Sequence, residues 1–252
     1  MIRRGAPFAD GLTSIITDRP AGPGMGFGIL RLRRGEKFPD TAGTERVYML
    51  LSGSVDFRWK GGSFAAARAS MVEEAPSSLR IGGAETLEVA ALSETAELAV
   101  FTASKTSGFP ILSIPARNVR TASLSPAKLD GTADRRIRTV IDDANAPGSS
   151  LTMGEVVNLP GRWSSFPPHH HSQIELYHYR FFPEGGFGFC GLGDDAFIVR
   201  DGDTVVIPPG LTHPQVAAPG CSMIYLWAIR HLDGDRFGPD SRIYPPEYGW
   251  AL

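Results

Sequence analysis

Runs of four to eight residues rich in β-branched, aliphatic and aromatic types recur along the chain, separated by Gly, Pro, Asp and Ser. In the first half they fall at residues 28–32, 46–51, 54–59, 87–92 and 98–101. In the second they fall at 152–157, 174–179, 196–199, 204–207 and 223–229. Side chains of an extended chain alternate faces, so runs of this length between turn formers predict β-strands. The Ala-rich stretch 64–71 is entertained as a short helix, although no 3.6-residue apolar stripe marks it. Many short strands at close spacing predict an all-β chain of the sandwich or barrel kind. Residues 105–134, rich in Ser, Pro, Ala and Thr, have the weakest strand character and predict a bridge between two β-units, 1–120 and 121–252.

Composition narrows the function. Of the 252 residues, 42% are hydrophobic and 21% charged, which excludes a disordered chain. Lys and Arg (25) nearly balance Asp and Glu (27), which argues against a nucleic-acid partner or a basic membrane surface. No apolar run approaches the ~18–20 residues of a spanning helix. Behind Met1-Ile2-Arg3-Arg4 there is no apolar stretch of an export signal, so a cytoplasmic protein is expected. Cys190 and Cys221 are too few for a disulfide framework or a four-thiolate metal site, and are read as small buried hydrophobes.

Histidine is distributed unevenly: all six lie between His169 and His231. In Pro168-His169-His170-His171-Ser172-Gln173-Ile174-Glu175, residues 169, 171 and 175 share one parity. Two imidazoles and a carboxylate on one face suit one divalent metal ion such as Zn, Mn, Fe, Co or Ni. His170 faces away and is read as a bystander. Downstream, Gly202 is followed by a strand, the turn Pro208-Pro209-Gly210 and then His213, a fourth potential ligand. Three or four protein ligands leave coordination positions open, the mark of a catalytic site.

These two segments resemble the paired signature motifs of the cupin superfamily, which implies two jelly-roll (double-stranded β-helix) barrels in tandem. In the first half, Glu45-Arg46-Val47-Tyr48 through Gly53 echoes the end of the first motif. The histidine positions there read Asp40-Thr41-Ala42-Gly43, so residues 1–120 are expected to be a degenerate barrel without metal ligands, and Glu45 a hydrogen-bonded or exposed carboxylate. Residues 121–252 would carry the metal and a C-terminal tail docked on a barrel or a neighbouring subunit.

A narrower resemblance spans about residues 134–230. Arg135-Arg136-Ile137-Arg138, Gly161-Arg162-Trp163, Glu175-Leu176-Tyr177-His178-Tyr179, Val199-Arg200-Asp201-Gly202 and Tyr225-Leu226-Trp227 together resemble the 5-deoxy-glucuronate isomerases of inositol catabolism. They are similar, more distantly, to the 5-keto-4-deoxyuronate isomerases. The resemblance implies a bicupin that interconverts an aldose-type uronic acid and its ketose, with His169, His171, Glu175 and His213 as metal ligands. It departs in a shorter loop between His171 and Glu175 and a longer approach to His213. Such chemistry needs a base within about 3 Å of the carbon-bound proton. Glu175, Tyr177, Tyr179 and a metal-bound hydroxide are the candidates. A sugar-acid carboxylate needs a cationic clamp, for which Arg162, Arg180 and Arg200 are candidates. Gln215 is read as a hydroxyl contact and Trp227 as a cavity wall, while His178 and His231 are read as structural. The competing readings are a cupin dioxygenase using Fe or Mn and a non-enzymatic sugar-binding bicupin. A homo-oligomer is expected, because pairing between copies covers sheet edges.

Overall fold

The alternation at 223–229 becomes the strand Ser222–Arg230, hydrogen-bonded along its length to Leu151–Asn158 on one side and Glu175–Phe182 on the other. The computed structural model describes residues 2–5, 7–18, 22–41, 43–83, 85–104 and 110–252. Met1, Ala42 and residues 105–109 of the expected bridge lie outside them. The chain is all-β, its helices being short 3₁₀ turns.

Two compact units form. One comprises Thr121–Thr139 and Leu151–Leu252 together with the N-terminal strand Ile2–Arg3, and the other comprises Pro7–Arg120 and Val140–Ser150. In the first of these, a sheet runs in the order Ile2–Arg3, Thr204–Ile207, Glu175–Phe182, Ser222–Arg230, Leu151–Asn158, Arg135–Ile141, Arg120–Leu124. A four-stranded sheet, Trp163–Ser164, Gln215–Ala217, Phe187–Leu192 and Asp195–Arg200, belongs to the same unit. A core of Tyr179, Phe181, Cys190, Val199, Val205, Ile207 and Met223 joins them. Each such buried side chain contributes about 1.5–3 kcal/mol of transfer free energy. Both cysteines are free and buried, as their small number suggests.

The cross-strand register fixes what faces the interior. Glu175 pairs with Ile229 and Ile207, Tyr177 with Trp227 and Val205, and Tyr179 with Tyr225. Gly154 pairs with Trp227, and this explains the glycine: a Cβ there would collide with the Arg138 carbonyl and press on the Trp227 ring at 2.9 Å.

The other unit packs Leu30, Tyr48, Leu50, Phe57, Leu79, Val89 and Leu98 into its own core. Its sequence runs 46–51 and 54–59 are one strand, Glu45–Trp59, whose register shifts between Leu50 and Ser52, next to Gly53 at φ 85°. The helix entertained over 64–71 is not formed. Gly61 (φ 98°) closes a hairpin, and Gly62–Arg68 pairs antiparallel with Gly53 through Trp59, so cross-strand pairing overrides the helix propensity of its alanines. Glu45 is fully buried: it accepts from Arg80 Nε at 2.6 Å, Ser149 Oγ at 2.7 Å and the Ser150 amide at 2.7 Å.

Candidate metal centre

Period-two alternation along Glu175–Phe182 places Glu175, Tyr177 and Tyr179 inside and His178 and Arg180 on the opposite face. The turn preceding the strand brings in His171. The Gly210 amide donates to the His171 carbonyl at 3.0 Å, which ties the Pro-Pro-Gly turn to the His171 segment and delivers His213 beside it. His213 Nδ1 lies 3.0 Å from the Leu211 carbonyl, which fixes Nδ1 as the donor and leaves the Nε2 lone pair facing inward. His171 Nε2 and His213 Nε2 each lie 3.2 Å from Glu175 Oε2. Donor atoms of the three buried residues all fall within 4.8 Å of one another.

Electrostatics favours a cation there. Burial alone would raise the Glu175 pKa, but hydrogen bonds from His171 and His213 pull it down to about 2. Burial opposes protonation of His213, and Glu175 outweighs it, so its pKa rises. Burial, reinforced by His213, drives His169 down to about 3 and keeps it neutral. With Nδ1 bonded to the Leu211 carbonyl, a neutral His213 points its Nε2 lone pair at the Glu175 oxygen, a repulsion that a proton or a metal ion on Nε2 relieves. His171 Nδ1 is moreover buried without a hydrogen-bond partner. The donor set, two imidazole nitrogens and one carboxylate, fits a borderline divalent ion. His169 flanks the group, its ring 5.0 Å from that of His213 and its Nδ1 2.9 Å from the Pro167 carbonyl. Its nitrogens are not among the donor atoms that converge.

The group opens into a cavity of about 260 Å³ walled by Tyr177, Tyr225 and Trp227. A chain of hydroxyls runs behind it. Tyr177 meets Ser165 Oγ at 2.9 Å, Ser165 Oγ meets Tyr225 at 3.5 Å, and Tyr225 meets Ser164 Oγ at 2.6 Å. Ser165 has φ 47°, a left-handed conformation uncommon outside glycine. Burial, with Glu175 adding to it, keeps Tyr177 protonated well beyond the usual phenol range.

The remaining site residues expected from sequence divide. Trp227 lines the cavity, with its indole Nε1 buried and unbonded. Tyr179 and Gln215 lie deeper in the core, where Tyr179 donates to Gln215 Oε1 at 2.7 Å and Gln215 Nε2 donates to the His213 carbonyl. Gln215 thereby supports the His213 backbone. Arg162, Arg180 and Arg200 lie off the cavity lining, and Arg180 pairs with Asp201 at 3.1 Å. His170 exchanges backbone hydrogen bonds with Ile243, and His178 meets Thr204. His231 Nδ1 accepts from the Phe237 amide.

Ser165, Tyr225, Arg135 and Arg242 were not anticipated as cavity residues. The last comes from a C-terminal segment that also supplies Phe237 and Tyr244, so the tail docks on this barrel. Period-two parity was the available signal for Tyr225, which shares the face of Trp227.

Known proteins resemble this chain along most of its length. The model of the KduI/IolB family matches residues 1–241. A 5-deoxy-glucuronate isomerase from Geobacillus thermodenitrificans is 28% identical over 249 residues, 90% of this chain and 87% of that protein. Among solved structures, an IolB-like protein from Salmonella typhimurium superposes with a TM-score of 0.83 at 21% identity, covering 99% of this chain and 98% of that one. A cupin 2 conserved barrel domain protein from Leptotrichia buccalis gives 0.53 at 14% identity, covering 87% and 88%.

Proposed function

The chain belongs to the KduI/IolB family, and from that premise we propose that it is a metal-dependent 5-deoxy-glucuronate isomerase. The observation that carries this is the convergence of His171, Glu175 and His213, the first two lining a cavity sized for a small molecule. These three would hold a divalent ion, and His169, whose ring stands 5.0 Å from that of His213, would become the fourth ligand by turning toward them. When bound, the ion supplies Lewis-acid polarisation of the sugar carbonyl and stabilises the negative charge that develops on it.

The reaction removes the C2 proton of the open-chain aldose and returns a proton to C1, while the C1 carbonyl oxygen gains a proton and the C2 hydroxyl loses one. Tyr177 enters with its hydroxyl protonated, so it is a donor to a substrate oxygen rather than a base. Ser165 and Tyr225 resupply that proton through the hydroxyl chain. Glu175 turns Oε2 to the two histidines, and its other oxygen, Oε1, ionised with it at neutral pH, is the acceptor we propose for the carbon-bound proton. Trp227 and Tyr225 exclude water from the exposed intermediate.

The setting proposed with this activity is inositol catabolism in the cytoplasm. Among the described residues, no helix is long and apolar enough to cross a membrane. We propose a homo-oligomer, supported by the exposed edge strand Arg120–Leu124, with mass measurement in solution as its check. Metal-loaded protein incubated with 5-deoxy-glucuronate is expected to give the ketose, followed by NMR. Absence of conversion with every divalent metal of the series refutes the assignment, and oxygen uptake with catechol-like substrates would replace it with a dioxygenase.

A further inference from the structure

A buried guanidinium needs an anion or a full set of acceptors, because removing the charge from water costs several kcal/mol. Arg135 is 9% exposed. Its bonded partners are neutral: the Ala133 carbonyl at 2.8 Å and the Phe166 carbonyl at 3.2 Å. Three residues further on the same strand, Arg138 is neutralised by Glu155 at 2.7 Å, whereas Arg135 meets no carboxylate among the described residues. A guanidinium has five N–H donors, and Arg135 lines the cavity, so its fork retains donors for a group inside.

A second cation compounds the imbalance. Arg242 lines the same cavity, its guanidinium 5.3 Å from the centre of the Phe237 ring. Its charge bears on Arg135, His169 and His213 alike. Tyr177, Tyr225 and Tyr244 line the cavity with Arg135 and bring no carboxylate to it. The acid lining the cavity is Glu175, already committed to His171 and His213. Two strands, Leu151–Asn158 and Ser222–Arg230, separate the Arg135 strand from that of Glu175. The Arg135 charge is therefore set apart from the group that would hold the ion, while Arg242 bears on both.

We infer that Arg135 and Arg242 form the carboxylate subsite of the cavity, gripping the acid end of a ligand whose carbonyl end is presented to His171, Glu175 and His213. The identity of the ligand as a uronate rests on the isomerase reading; the preference for a carboxylate rests on the two arginines. Arg135 supplies the pre-positioned fork, fixed by its two carbonyl bonds. Arg242, on the C-terminal segment, adds the more exposed second arm.

The test measures binding of two non-reacting probes by calorimetry: the C1-reduced alcohol of 5-deoxy-glucuronate, which keeps the carboxylate, and the corresponding neutral hexitol. Wild-type protein is expected to prefer the acid. Arg242→Gln should reduce that preference about tenfold and Arg135→Met about a hundredfold, with hexitol affinity unchanged, as loss of charge-assisted hydrogen bonds predicts. Arg135→Lys, which keeps the charge but loses the fork, should fall between them and decides the matter should Arg135→Met fail to fold by circular dichroism. Equal loss for acid and hexitol, or an undiminished acid preference in Arg135→Lys and Arg242→Gln, overturns the subsite. Protein that prefers the acid through these arginines yet never converts 5-deoxy-glucuronate keeps the subsite and loses the isomerase reading alone.

Discussion

Buried His178 allows a quantitative forecast of acid sensitivity. It lies on the strand that carries Glu175, fully buried, with Nδ1 2.9 Å from Thr204 Oγ1. Burial, with a smaller push from Arg180, holds its imidazole well below the ordinary range, so the folded protein keeps it neutral. In the unfolded chain the same ring takes up a proton near pH 6.5. Below that pH the unfolded state binds the extra proton, so stability falls as pH falls and is fully present only above it. Between pH 7.5 and 5.5 one such group accounts for about 1.4 kcal/mol of lost stability, on the order of 4 °C in Tm for a chain of this size. The assay is thermal unfolding of chelator-treated protein at both pH values, for wild type and His178→Asn. Asparagine keeps a polar atom for Thr204 and removes the titrating ring, while His169 and every other group is common to both proteins. The variant is expected to lose about 1.4 kcal/mol less than wild type between the two pH values, whatever its absolute Tm. Parallel losses in the two proteins would refute the reasoning.

Further outcomes follow from the same geometry. His171→Ala and His213→Ala are each expected to weaken metal retention at least about a hundredfold, read as metal per chain after dialysis; stoichiometric metal in either variant removes it from the ligand set. Tyr225→Phe breaks the hydroxyl chain between Ser164 and Ser165 and should lower kcat about tenfold to a hundredfold with KM little changed, and an unaltered kcat would exclude the relay. Glu45→Gln removes the charge opposite Arg80 and should cost about 3–5 kcal/mol by chemical denaturation, with metal stoichiometry untouched. Gly154→Ala drives a methyl against the Arg138 carbonyl and the Trp227 ring, costing about 1–3 kcal/mol and altering Trp227 fluorescence.

Much of this architecture was readable from local pattern. The strands announced themselves because β-branched runs between turn formers have no other good conformation, and His-x-His with Glu175 was visible from its local spacing; alternation within Glu175–Phe182 places Tyr177 and Tyr179 beside Glu175, whereas His171 comes in from the preceding turn. The same rule places Arg180 on the face of His178, away from the cavity, so its candidacy as a carboxylate clamp conflicted with the alternation that found Glu175. Arg135 was hidden for a different reason. Its strand pairs with its neighbours in the chain, Arg120–Leu124 and Leu151–Asn158, but nothing local tells a buried guanidinium without a carboxylate partner from Arg138, which meets Glu155. Arg242 lay in a stretch without periodicity, where docking on the barrel is a tertiary event. The alanines of 64–71 misled because intrinsic preference is weaker than the hairpin that Gly61 closes.

The divided origin of the cavity has a bearing on how such a protein can diversify. His171, Glu175 and His213 are anchored to framework strands and to a turn whose backbone is knitted into the sheet, so drift there risks the fold itself. Phe237, Arg242 and Tyr244 come instead from a trailing segment with little regular pairing beyond the short bridge to His170. Mutation can rewrite that flap and retune which molecules are admitted, while the side chains beneath keep their places.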